Sequence, residues 1–152
     1  VGYEFWGNAV VELADGQFHQ TVAPRDCAVF ALRELGPRPQ LLSTSRHLMQ
    51  GGVDVLEEGW TPARRLWLFE SGSAGTLAGR SAVVGDDPYE LRILGKSTQG
   101  PWKVLAATLS PEDAAAGATI AVKEEKDGLA RIVIASPANR EVRWSVELEL
   151  AD

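Results

Sequence analysis

The sequence predicts an all-β protein, a two-sheet antiparallel β-sandwich of the jelly-roll or Greek-key kind. We expect about ten short strands and at most one short helix near residues 110–116. Three observations predict this class. Apolar and polar residues alternate along several segments, which is the period of a half-buried strand. Gly, Pro and Asp separate these segments at intervals of roughly 8–12 residues, as turns do. Only one segment carries the end signals of a helix.

The clearest alternation lies near the C-terminus, in "EVRWSVELEL". Its apolar residues all fall on one face of a strand, whereas a helix would scatter them around its circumference. Trp144 is therefore predicted to lie in the core. The apolar face consists of Val142, Trp144, Val146, Leu148 and Leu150.

A hairpin is predicted just upstream, where Asp127-Gly128 suits a type I′ turn because both residues tolerate positive φ. The implied register places Val122 opposite Val133, and Glu124 opposite Arg131 as a pair of opposite charge. The segment "SPANR" then turns the chain into the last strand. The final third is thus predicted to be a three-stranded antiparallel meander.

Five further segments have strand patterns. "CAVFALR" is apolar on both faces, as a buried strand would be. The five are residues 17–24, 27–33, 64–71, 88–94 and 101–109.

The helix is predicted in "SPEDAAAG". Ser110 suits the N-cap, Pro111 the first helical position, and Gly117 the stop.

The stretch "RPQLLSTSRHLMQGGVDVLEEGW", residues 38–60, has two interpretations. A helix would gather Leu41, Leu42, Leu48 and Met49 on one stripe. We favour a hairpin with its turn at Gly51-Gly52, although both faces of the first arm are mixed.

Length and charge narrow the function. The 152 residues contain no repeat or linker, so a single domain over 1–152 is predicted. A net charge of −6 without a basic run argues against nucleic acid and anionic membranes as partners.

The start, "VGYEFWGNAV", has no Met and no signal-like regions, so we expect the interior of a longer chain and predict no compartment. Cys27 is the single cysteine, which excludes an internal disulfide, and its apolar surroundings predict burial.

Searches for catalytic chemistry find weak candidates. No zinc spacing involves the two histidines, and no cofactor motif occurs. Asp86 and Asp87, with Glu90, are alternative calcium ligands, but a solvated turn is favoured. Ser43, Ser45 and His47 share a strand face, yet no orienting carboxylate or oxyanion hole can be identified, so catalytic residues are predicted to be absent. The abundant acids likewise indicate no glycosidase pair.

Five tryptophans are a large number for this length. Trp144 and Trp67 are assigned to the core. Trp6, Trp60 and Trp102 lie beside Gly or Pro at strand ends, where an indole can stack on a sugar ring or close the end of a sandwich core. They are the candidate carbohydrate-binding residues.

Four stretches resemble one family. "YEFW", "PRDCAVFALR", "RPQLLSTSRHLMQGGVDV" and "TLAGRSAVVGDDPYELRI" are similar to the β-sandwich domain that follows the catalytic (β/α)-barrel in α-galactosidase-like (melibiase-type) glycoside hydrolases. The resemblance runs from Tyr3 to Ile93, and beyond it only the strand pattern agrees. These are structural signatures, and that family carries its catalytic carboxylates on the barrel.

The resemblance implies a non-catalytic accessory domain that packs against a barrel of the same chain, stabilises it and assists carbohydrate contact. Arg46 and His47 are then the candidate contacts to the barrel. A domain standing alone should expose an apolar patch of several hundred Å². The alternatives are an autonomous carbohydrate-binding module with two or more coplanar, exposed tryptophans, and a small hydrolase using Ser43, Ser45 and His47.

Overall fold

A computed structural model describes residues 1–46, 50–63 and 73–151, without the side chains of residues 124 and 125. This part of the chain contains twelve strands and one short helix, so the predicted all-β class is confirmed. The predicted strand over 64–71, with Trp67, lies outside the described residues. The strands are β1 (Gly2–Glu4), β2 (Ala9–Val11), β3 (Phe30–Leu32), β4 (Gln40–Thr44), β5 (Val55–Pro62), β6 (Ala74–Val83), β7 (Tyr89–Leu94), β8 (Lys96–Ser97), β9 (Gly100–Leu109), β10 (Thr119–Lys126), β11 (Leu129–Ala135) and β12 (Arg140–Leu150), and the helix is α1 (Pro111–Ala115).

The strands form three antiparallel sheets. A five-stranded sheet has the order β5-β6-β12-β9-β8, and a four-stranded sheet has the order β10-β11-β7-β4. These two sheets enclose the main core and constitute the predicted sandwich. The third sheet, β2-β1-β3, comes from the N-terminal segment and was not predicted.

The four-stranded sheet is covered on both faces along β4, β7 and β11, where neighbouring residues of a strand enter different cores, whereas its edge strand β10 is largely exposed. Leu41 and Ile93 belong to the main core, whereas Leu42 and Leu94 pack with Tyr3 of β1 in a second, smaller core. A strand directs successive side chains to opposite faces, so a strand covered on both sides must be apolar at consecutive positions. The main core consists of Leu41, Leu77, Val83, Tyr89, Leu91, Ile93, Trp102, Ala130, Ile132, Ile134, Val142, Trp144, Val146 and Leu148.

The last strand follows its predicted pattern. In β12, Val142, Trp144, Val146 and Leu148 are buried in the main core. The predicted meander is wrong, however, because β12 pairs with β6 and β9, whereas β11 pairs with β10 and β7. The apolar faces of β11 and β12 meet across the core from opposite sheets, so the turn between them is a crossover.

The β10–β11 hairpin is confirmed. Its turn residues Asp127 and Gly128 have φ values of 53° and 73°, as a type I′ turn requires. The backbone of Glu124 lies opposite Arg131, as the predicted register has it, but Val122 lies opposite Ile132 because a bulge follows it. The bulge shifts the register by one residue.

The hairpin predicted over residues 38–60 is wrong. Strands occupy both arms, but β4 pairs with β7 and β5 pairs with β6. Leu41 of β4 and Val55 of β5 contact the main core from opposite sheets. The segment between them therefore crosses from one sheet to the other.

The predicted strands over 17–24 and 27–33 are largely absent. Within this region only the short β3 and an isolated bridge between Ala14 and Gln17 form. Cys27 is exposed, contrary to its predicted burial. Arg25, two residues before it, has φ 69°, and the amide of Cys27 donates to Asp26 Oδ1, so the chain turns where an extended strand was expected.

The helix α1 has the predicted ends. The amide of Asp113 donates to Ser110 Oγ at 3.1 Å, and Pro111 occupies the first turn. Gly117, with φ 87°, follows the C-cap residue Ala116. No helix in the described residues is long and apolar enough to cross a membrane.

Candidate functional site

The crossover between β4 and β5 centres on Asp54, which is 8% exposed. Its Oδ2 accepts hydrogen bonds from the Tyr89 hydroxyl at 2.6 Å and from Thr44 Oγ1 at 2.7 Å. Its Oδ1 accepts from the amide of Gly51 at 2.9 Å. We call Ser43, Thr44, Gln50, Asp54, Ser81 and Tyr89 the Asp54 cluster. It joins the crossover to the strands of both sheets.

The cluster continues into the main core. Ser81 Oγ lies 3.4 Å from the Tyr89 hydroxyl and accepts a hydrogen bond of 2.9 Å from Trp144 Nε1. Burial raises the pKa of Tyr89, and the hydrogen bond to Asp54 raises it further. The phenol therefore stays protonated and acts as a donor.

The two serine candidates are tied into hydrogen bonds within the domain. Ser43 is fully buried, and its hydroxyl donates to Gln50 Oε1 at 2.7 Å. Ser45 Oγ accepts from the amide of Glu90 at 3.0 Å. His47 lies outside the described residues. Ser43 Oγ is out of reach of substrate in this conformation. Its hydrogen bond holds the Gln50 side chain, and that of Ser45 holds the backbone of Glu90.

Arg46, a candidate barrel contact, is directed toward its own domain. Its Nη1 forms an ion pair with Asp87, and its guanidinium carbon lies 5.5 Å from the centre of the Tyr89 ring. The Asp87 carboxylate is thus occupied by a guanidinium, and Asp86 lies exposed in the adjoining turn. In the described ranges, no three His, Cys, Asp or Glu side chains are grouped to hold a metal ion. The calcium alternative at Asp86 and Asp87 stays a prediction.

A second polar cluster lies between the three-stranded and four-stranded sheets. Arg92 is 6% exposed, and its guanidinium carbon lies 4.5 Å from the centre of the Tyr3 ring and 5.0 Å from that of Phe5. Its Nε pairs with Glu90 Oε1 at 2.8 Å, and its Nη1 donates to the carbonyl of Thr44 at 2.6 Å. We call Tyr3, Phe5, Glu90, Arg92 and Arg131 the Arg92 cluster.

Arg131 links this cluster to the N-terminal sheet. Its Nη1 pairs with Glu90 Oε1 at 2.8 Å, and its Nη2 donates to the Tyr3 hydroxyl at 2.9 Å. The Tyr3 hydroxyl in turn donates to Asn8 Oδ1. One carboxylate thus holds two guanidinium groups against the rings that cover them.

A polar groove of about 360 Å³ opens beside Arg131, between the turn after β1 and the turn after β10. This volume is near the lower end for small-ligand sites. It contains no aromatic residue on which a sugar could stack. Its lining residues are Asn8, Ala9, Val10, Lys126, Asp127, Leu129 and Arg131.

The three candidate tryptophans have different environments. Trp6 is exposed, at 55% of its surface, and stands edge-to-face against Phe5. Trp102 is buried, with Nε1 donating to Ser97 Oγ at 3.0 Å. Trp60 is half-buried and meets Trp102 at an interplanar angle of 88°. Trp60 and Trp102 therefore close one end of the core instead of forming a coplanar platform.

Sequence reasoning missed Asp54, Tyr89 and Arg92 as the organising polar residues. A signal was present, because "VDV" and "LRIL" each place one charged residue inside an apolar strand pattern. Such a residue must find partners if its strand is covered on both faces.

Comparison with protein-family models, curated proteins and solved structures gives no match to the chain.

Proposed function

We propose that this chain is a non-catalytic accessory β-sandwich domain of a glycoside hydrolase, which packs against a catalytic (β/α)-barrel and stabilises it. The proposal rests on the resemblance of the stretches between Tyr3 and Ile93 to the β-sandwich domain of α-galactosidase-like enzymes.

The observation that carries the proposal is where two of those stretches lie. Residues 38–55 form β4 and the crossover to β5, and residues 76–93 contain most of β6, the turn after it and most of β7. Both stretches join the five-stranded sheet to the four-stranded sheet, and the Asp54 cluster connects them through Tyr89. If these stretches are structural signatures of the family, we expect them to contain the residues that maintain the crossovers between the two sheets, as these two stretches do.

The burial of three polar residues supports the proposal that the domain is non-catalytic. Ser43, Asp54 and Tyr89 are each less than a tenth exposed and satisfy one another's polar groups or those of neighbouring loops. A general acid, base or nucleophile must come within hydrogen-bond distance of substrate. These groups instead stabilise the fold.

Adding the purified chain to an α-galactosidase barrel that lacks its own β-sandwich domain tests the proposal. We expect a complex with a dissociation constant below about 100 µM, corresponding to about −5.5 kcal/mol, and a higher melting temperature for the barrel. An unrelated acidic β-sandwich of similar size serves as the control. Absence of a complex at several times that concentration, in calorimetry and in sedimentation, would reject the barrel as partner.

The alternative, an autonomous carbohydrate-binding module, retains one favourable observation, the exposed indole of Trp6. Calorimetric titration with galactose and galactosides distinguishes it from the barrel-packing function. Millimolar binding that Trp6→Ala abolishes would favour the module, whereas barrel binding with no response to sugar would favour the accessory domain. Hydrolysis of aryl galactosides or esters that His47→Ala abolishes would favour the third hypothesis, a hydrolase.

A further inference from the structure

The N-terminal segment before β4 contributes very little to the interior. Gly2 and Tyr3 are buried, but every residue from Glu4 to Arg38 is exposed or half-buried. The small core beneath the N-terminal sheet has four buried members, Tyr3, Leu42, Leu94 and Leu129, of which only Tyr3 comes from the N-terminal sheet. The main core has fourteen buried members, so the two interfaces differ greatly in apolar burial.

The hydrogen bonds of Arg92 join it to residues of the sandwich. Its hydrogen-bond partners are Glu90, Ser43 and Thr44, all on strands of the four-stranded sheet. Tyr3 and Phe5 contribute ring faces above the guanidinium. Lifting the N-terminal sheet would therefore hydrate Arg92 without breaking any of these hydrogen bonds, which lowers the cost of opening.

Polar links between the N-terminal segment and the sandwich include part-buried hydrogen bonds and exposed contacts. Arg131 donates to the Tyr3 hydroxyl at 2.9 Å, the amide of Thr98 donates to the carbonyl of Gly36 at 2.9 Å, and Arg33 Nε donates to the carbonyl of Leu41 at 3.3 Å. An exposed ion pair joins Glu12 to Lys96. Water can replace this exposed ion pair at little cost.

We propose that residues 1–37 form a detachable cover, which opens as one unit while the two-sheet sandwich stays folded. Opening uncovers a surface on the four-stranded sheet that combines the Arg92 guanidinium with the apolar side chains of Leu42, Leu94 and Leu129. Sub-global opening of this kind is expected where a segment buries few apolar groups and docks on an independently stable core.

Native-state hydrogen exchange followed by mass spectrometry tests the cover. In the wild-type chain, the amides of β1, β2 and β3 should exchange at least tenfold faster than the paired amides of β7, β11 and β12. Tyr3→Ala should speed exchange in the cover at least another tenfold, and leave exchange in the sandwich within twofold. A Tyr3→Ala chain whose cover is fully exchanged while its sandwich remains protected gives the same support.

Val146→Ala is the matched control because Val146 lies in the main core, away from the cover. This variant should speed amide exchange in the sandwich and leave the exchange rates of the amides in β1, β2 and β3 unchanged. The proposal is overturned if Tyr3→Ala speeds both regions by the same factor, unfolds the entire chain or changes neither region. It is also overturned if Val146→Ala speeds the cover as much as the sandwich.

Discussion

The hydroxyl of Tyr89 donates a hydrogen bond of 2.6 Å to the buried carboxylate of Asp54, which joins β7 to a loop 35 residues away in the chain. Tyr89 also belongs to the main core. The same side chain therefore packs the two sheets together and holds the crossover between them.

Replacing Asp54 with alanine should lower the free energy of unfolding by about 3 kcal/mol, because two buried donors and one partly buried donor lose their acceptor. Those donors are the hydroxyls of Tyr89 and Thr44 and the amide of Gly51. Urea unfolding measures the change. Glu34→Ala, an exposed substitution, should change it by less than about 0.5 kcal/mol. Equal effects of the two variants would contradict a structural role for Asp54.

The raised pKa of Tyr89 predicts a loss of stability in alkaline solution. The unfolded chain releases this proton near the ordinary value of about 10, whereas burial and the hydrogen bond to Asp54 hold it in the folded chain. Stability contributed by this group is therefore complete below pH 10 and declines as the pH rises above it. Urea titrations from pH 8 to pH 11 measure the slope. Tyr89→Phe should show a smaller decline of the free energy of unfolding with pH than wild type. The same slope in both proteins would contradict the contribution of Tyr89.

Gly79 should resist enlargement, because a Cβ there would lie 2.5 Å from Cζ2 of the buried Trp144 and would also clash with the carbonyl of Glu57. Gly79→Ala should cost roughly 2–3 kcal/mol, as overpacking of a core does. Gly59, on the neighbouring strand β5, has open space around its Cα and provides the matched control. Thermal unfolding should show Gly59→Ala within about 0.5 kcal/mol of wild type. Comparable losses in both variants would show that the clash is not the cause.

Asp113 should contribute stability that is lost in acid. Burial acts to raise the pKa of its carboxyl, but the hydrogen bonds from Ser110 and the Arg143 amide, with the charge of Arg140, lower it more. Stability from this group is therefore present above the unfolded value of about 3.9 and declines as the pH falls through the lower folded value. Asp113→Asn should reduce the pH dependence of stability between pH 2 and pH 5. An acid transition identical to that of wild type would refute this contribution.

Local features of the fold were predictable wherever a short stretch determines its own geometry. The alternation in "EVRWSVELEL" indicates the buried face of β12, and Asp127-Gly128 indicates a type I′ turn because both residues accept positive φ. Ser110 and Pro111 indicate the start of the helix by the same kind of local argument. The apolar pattern of 27–33 misled the prediction because its residues form an outer strand only three residues long.

The candidate site depended on relationships that a sequence pattern does not contain. Ser43, Ser45 and Arg46 were singled out from their spacing, but their contacts depend on Gln50, Glu90 and Asp87. Two of these partners lie more than forty residues away. The expected apolar patch stays a prediction. Within residues 1–46, 50–63 and 73–151, the large exposed apolar side chains are Trp6, Val22, Leu32, Val53, Leu56, Val84, Leu105 and Val122.

The sequence by itself determined the all-β class, the faces of the principal strands, one hairpin and one helix. The tertiary structure alone decided which strands share a sheet, that β4 and β5 do not pair, and that a third sheet covers the four-stranded one. Alternation of apolar and polar residues specifies which face of a strand meets the core. The alternation does not differ between a strand whose successor pairs with it in the same sheet and one whose successor lies in the opposite sheet. That choice depends on how side chains distant in sequence, such as Tyr3 with Leu129 or Tyr89 with Asp54, fill and satisfy the space between the sheets.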